Sequence, residues 1–152
     1  MDNAWFWRDA DGALQCGLMD WGCVSQMNVA MAIWGAMAAA ETDLWDRHFD
    51  ELLELFVAEV RSAGGPALDA EQLRVHVLLY AAIMGMTWLL DVPSRIRARI
   101  GEASPGLSRT DPRISADESV RAPLQMLTNV LNLWQVYRFG DILETALSGR
   151  SA

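Results

Sequence analysis

Two short apolar runs open the chain, and helical periods fill the rest. Ala4 to Trp7 and Ala13 to Met19 are separated by Asp9, Ala10, Asp11 and Gly12. Aromatic-rich runs around an Asp-Gly pair predict a β-hairpin over about residues 4–20. After Gly22 the period changes from strand to helix. Residues 26–40 are rich in Ala and Met with Trp34 in the middle, which predicts a helix covered on most sides, and Asn28 is placed to cap its start. Thr42 is a candidate N-cap for a helix over 43–62, whose Trp45, Phe49, Leu52, Leu53, Phe56, Val57 and Val60 fall on one stripe. Gly64, Gly65 and Pro66 end it. Leu68, Asp69 and Gln72 have the spacing of a staple and a capping box, opening a helix over about 70–90. A break is expected at Val92, before Pro93, with helix resuming to Ile100. Residues 101–114 read as an exposed loop. Ser115 and Glu118 form a second capping box for a helix to about Phe139, with a start near Ala122, ahead of Pro123, as the alternative. A short helix over 141–147 closes the pattern. The expected fold class is therefore mainly α: an N-terminal hairpin, then about five helices packed around Trp34, Phe56 and the Val75 to Leu90 segment.

Composition narrows this picture. At 152 residues the chain suits one domain over 1–152 with a core of its own. The net charge of −8 and the lack of a basic stripe argue against nucleic acid as a partner. Arg95, Arg97 and Arg99 cluster, and read as a solvated helix end. Cys16 and Cys23 lack Cys-x-x-Cys spacing and a His partner, so reduced thiols are expected. The first residues are acidic and aromatic, unlike a secretory leader, and the expected location is cytoplasmic. The apolar run from Val75 to Leu90 is interrupted by His76 and is too short for a bilayer, so it reads as a buried helix and no membrane partner is expected.

The candidate chemistry lies at the open end of the hairpin. Asn3 leads in and Asp20 leads out, which brings two oxygen ligands to one end of the ribbon. Mg²⁺ is held by one or two such groups together with substrate phosphates. Gly17 and Gly22 would let backbone and ligand approach closely. Kinase-type enzymes hold their metals with a catalytic-loop Asn and the Asp of an Asp-Phe-Gly triplet; the triplet here reads Asp20, Trp21, Gly22.

On these residues, with the helical Asn28 to Trp34 beyond them, the chain resembles the C-terminal lobe of the aminoglycoside phosphotransferase family and its choline- and ecdysteroid-kinase-like relatives. The resemblance pairs the family's Asn with Asn3, its Gly with Gly17 and its metal-binding Asp with Asp20. It implies a protein-kinase-like fold, ATP and Mg²⁺ as cofactors, and a small-molecule hydroxyl acceptor. The family's His-Gly-Asp, which carries the catalytic base, is expected upstream of Met1. The Gly-rich loop, the phosphate-binding Lys and its Glu partner are likewise not in this sequence, so an incomplete C-lobe is expected, inactive by itself. Helices of such a lobe also line the acceptor cleft, a role open to Tyr80, Trp88 or Trp134.

Other polar residues suggest no chemistry. His48 and His76 have no nucleophile at a telling spacing and read as core or boundary residues. Asp9 with Asp11 suits a turn, and Glu51 with Glu54 a solvated face. A second class of function remains open: a non-catalytic helical binding or assembly module, with self-association through an exposed apolar face.

Overall fold

The computed structural model describes residues 4–19, 26–101 and 106–148. Strands β1 (Ala4–Arg8) and β2 (Leu14–Leu18) form an antiparallel ribbon in which Ala4 faces Leu18 and Arg8 faces Leu14. Asp9 organises the turn. Its Oδ1 accepts from the backbone N–H groups of Asp11 and Ala13, and its Oδ2 from Gln15 Nε2 at 2.7 Å. Gly12 takes the positive φ of 79° that the turn demands.

Seven α-helices follow among the described residues, rather than about five: α1 (Val29–Met37), α2 (Thr42–Ser62), α3 (Ala70–Met84), α4 (Val92–Ile100), α5 (Pro112–Ser115), α6 (Glu118–Tyr137) and α7 (Phe139–Ser148). Helices α3 and α6 are central. The first packs on α1, α2, α6 and α7, and the second also on α4 and α5. Between them lies the core of Trp34, Trp45, Phe49, Val77, Leu78, Ala81, Leu133 and Phe139. Phe56 is half-buried at its margin.

Several caps and stops follow from local chemistry. Asn28 accepts from the Ala30 N–H at 2.8 Å and Asp69 from the Gln72 N–H at 2.7 Å, as their spacing predicts. Thr42 does not cap α2. Glu41 precedes the helix without capping it through its side chain, and the Thr42 hydroxyl is turned instead to Asn129 at 2.8 Å. Ser115 closes α5 rather than opening α6, which Asp117 caps. Helix α6 starts at Glu118 and carries Pro123 inside it.

Three expectations are corrected. Helix α1 is covered on one face only: Ala30, Ile33 and Trp34 are buried, whereas Met31 and Ala32 are exposed. The break before α4 falls at residues 90–91, and Val92 is helical, because Pro93 occupies the first turn where its missing N–H has no partner to lose. A π-helical turn, Gly85–Leu89, precedes that break. The loop over 101–114 contains α5, whose Ile114 is buried.

No single helix among the described residues is long and apolar enough to cross a membrane. Ala70–Leu89 and Val92–Ile100 reach that length only as a pair bent by 43°. The buried Val77, Leu78, Ala81 and Ala82 lie on the first limb and belong to the core.

Candidate functional site

The ribbon places its side chains by strand alternation. Phe6 and Cys16 share one face with Leu14 and Leu18, and Trp5 and Trp7 share the other with Gln15 and Gly17. The indoles of Trp5 and Trp7 meet at 5.4 Å. Trp5 also lies over Gly17, where an added Cβ would stand 2.0 Å from its Nε1. The bare face of Gly17 is thus filled by the indole opposite it, a role for this glycine different from ligand approach. The aromatic and aliphatic residues of the ribbon stay exposed on both faces, Trp5 at 59% and Phe6 at 62%.

Asn3 and Asp20, with Trp21, Gly22 and Cys23, lie outside the described residues. Ala4, next to Asn3, pairs across the ribbon with Leu18, two residues before Asp20. Among the described residues no group of three or more His, Cys, Asp or Glu side chains is placed to hold a metal ion.

The residues considered for an acceptor cleft have separate settings. Tyr80 is half-buried against the core, and Trp88 is exposed at 68%. Trp134 packs on Phe139 at 5.2 Å and borders an apolar recess of about 320 Å³ between the π-helical turn and α6, alongside Met86, Leu90 and Leu131. That recess is lined by Trp134 and not by Tyr80 or Trp88. Both histidines are exposed rather than in the core, and His48 pairs through Nδ1 with Glu51 at 2.9 Å. Asp9 is a turn former, as its spacing implies.

Sequence reading missed a larger feature. A cavity of about 580 Å³ lies between α4, the segment ahead of α5, and α6. Ile96, Leu107, Ile114 and Leu124 supply its apolar wall. Arg97, Arg109 and Arg121 line it together with one acid, Glu41. Arg109 Nη2 donates to Glu41 Oε2 at 2.5 Å, and Arg121 pairs with Glu118. The only sequence signal was the arginine run of α4; its convergence with Arg109 and Arg121 is set by helix packing.

One buried polar residue braces the wall. Asn129 on α6 is fully buried. Its Nδ2 donates to the carbonyls of Ala38 at 2.9 Å and Ala40 at 2.8 Å. Its Oδ1 accepts from Thr42 Oγ1 at 2.8 Å and from Gln125 Nε2 at 3.1 Å. Gln125 itself lines the cavity, so the network ties the α1–α2 connection to the cavity wall.

Beside the cavity, Asp111 receives a two-pronged contact from Arg113, Nε and Nη2 each at 3.0 Å, and caps α5 through the Arg113 N–H. The guanidinium bonds, then the backbone bond, hold the Asp111 carboxyl down to about 2. Asp117 is also held below the usual range, first by the Ser119 hydroxyl and then by Arg99.

Compared with known proteins, the chain matches no family model, no curated protein and no solved structure.

Proposed function

We propose that this chain is the C-terminal part of a kinase-like small-molecule phosphotransferase, whose activity would be ATP- and Mg²⁺-dependent phosphoryl transfer to a hydroxyl group. The observation that carries the reading is the in-register ribbon, Ala4 opposite Leu18, that precedes a helical body and is flanked in sequence by Asn3 and Asp20. In this reading Asp20 is the principal Mg²⁺ ligand, Asn3 a second, and Trp21 backs the metal loop. Bound Mg²⁺ would neutralise charge on the phosphates. This reading assigns the base and the nucleotide-enclosing lobe to no residue of this chain.

The test is paramagnetic broadening by Mn²⁺ as a Mg²⁺ substitute, followed on backbone amides. Broadening centred on Ala4, Leu18 and their neighbours, and lost in Asp20→Ala, is the expected result. Broadening elsewhere, or unchanged in Asp20→Ala, would overturn the reading.

A specific observation favours a second reading, an assembly module without catalysis. A ribbon with Trp5, Trp7, Phe6, Leu14 and Leu18 exposed on its two faces leaves apolar surface that association would bury. Under this reading the occupant is a second copy of the chain. Sedimentation should then show a concentration-dependent dimer that Trp5→Ser/Trp7→Ser returns to monomer, and a monomer at all concentrations would exclude it.

A further inference from the structure

We infer that the arginine-lined cavity between α4 and α6 is a binding site for a small amphipathic carboxylate, one carboxylate group joined to an apolar body. The inference rests on described residues alone and is independent of the phosphotransferase reading. The volume of about 580 Å³ falls among those of small-molecule sites, which combine apolar walls with a few placed polar groups.

Charge selects an anion. Three arginines to one glutamate line this recess, in a chain of net charge −8. A cleft whose lining reverses the sign of the molecule concentrates ligands of the opposite charge. Every basic side chain in the sequence other than the two histidines is arginine, with no lysine at all. The guanidinium fork matches a carboxylate in two-point geometry, unlike the point charge of an ammonium.

The Glu41–Arg109 pair indicates which anion. Glu41 presents a carboxylate to a cavity arginine, and both side chains are more than half exposed, at 64% and 61%. Exposed pairs of this kind contribute little to stability, so a ligand carboxylate can take the place of Glu41 at Arg109. Arg121 is held in a similar exposed pair, with Glu118. The apolar half of the ligand is set by the wall. Ile96 and Ile114 are buried, and Leu107 and Leu124 half-buried, so a hydrocarbon body extends an existing apolar surface whereas a bare anion would leave it wetted. The Asn129 network fixes Gln125 and the α6 side of the recess in advance, which lowers the ordering cost of binding.

The experiment titrates the full chain with octanoate, octanol and acetate, following backbone amide shifts. Octanoate should saturate amides near 96–97, 107–109 and 121–125, and bind roughly tenfold or more tightly than octanol, the factor expected of one charge-assisted contact, and more tightly than acetate, which lacks the hydrocarbon body. Arg109→Gln and Arg121→Gln should each weaken octanoate several-fold without altering octanol. Glu41→Gln should strengthen octanoate, because the internal competitor is gone; a wall of purely structural importance would not give this sign. Equal affinity for octanoate and octanol, shifts centred elsewhere, or an unchanged or weaker affinity in Glu41→Gln would overturn the inference. Octyl phosphate binding while octanoate does not would overturn the carboxylate assignment.

Discussion

Gly85 and Asn129 show how single residues fix the central pair of helices. At Gly85 an added Cβ would stand 2.4 Å from Val130 Cγ1, so the π-helical turn approaches α6 through a glycine. Gly85→Ala should destabilise the protein by about 1–3 kcal/mol through overpacking. Val130→Ala removes the clashing methyl, so the double variant should cost less than the two singles added together, by roughly 0.5 kcal/mol or more. Strict additivity in urea denaturation would show that the approach is looser in solution. Asn129 is a different case, because its amide serves two carbonyls, a hydroxyl and a second amide. Asn129→Leu keeps the volume but leaves buried polar groups without partners, each costing ~1–3 kcal/mol. The expected loss is at least ~2 kcal/mol, read as a lower denaturation midpoint at unchanged slope. Neither role was legible in the sequence. A glycine inside an apolar run and an asparagine inside an amphipathic helix become informative only when the partner helix is in place.

At the scale of elements, local signals were legible in part: Thr42, Ser115 and Val92 misled, and others held. The stripe of α2 predicts 43–62 against the observed Thr42–Ser62, and the hairpin and the caps at Asn28 and Asp69 follow from short-range chemistry. Helix α5 escaped because four residues carry no period, although Asp111 and Pro112 are a good start signal in hindsight. That helix also gives a pH prediction. The folded-state Asp111 carboxyl titrates near 2, below the ~3.9 of an unfolded chain. Its stabilising contribution is therefore complete above about pH 4, and is lost as the pH falls through about 2. Amide shifts of residues 113–115 should titrate with a midpoint near 2, and Asp111→Asn should abolish that transition. A midpoint close to the unfolded value would mean the Arg113 fork is not held in solution. The arginine cavity shows the limit of local reading most clearly: α4, the segment ahead of α5, and α6 each supply one of its three cations, and no window of sequence holds them together.

At the scale of the whole molecule, the hairpin-then-helices order expected from the sequence is present, and the proposed metal ligands Asn3 and Asp20 lie outside the described residues. The resemblance rests on a short motif whose spacing implies a shared end of a ribbon; the ribbon was legible in the sequence, and its register and the chemistry at that end were not. What the chain should do by itself follows from the physics of phosphoryl transfer. The reaction depends on in-line positioning and on charge stabilisation around an enclosed nucleotide, and good orientation can supply ~7–11 kcal/mol of the barrier reduction. A pair of metal ligands gives neither enclosure nor orientation, and the proposed function assigns no catalytic base to a residue of this chain. The purified chain, supplied with ATP, Mg²⁺ and an aminoglycoside or choline, should therefore release no ADP above the background of a chain-free control. Joining a base-bearing His-Gly-Asp loop and a nucleotide lobe to it should give turnover, and Asp20→Ala should remove it again. Robust turnover by the 152-residue chain that disappears in Asp20→Ala would overturn the prediction, and would require other residues of this chain to provide the base and the enclosure.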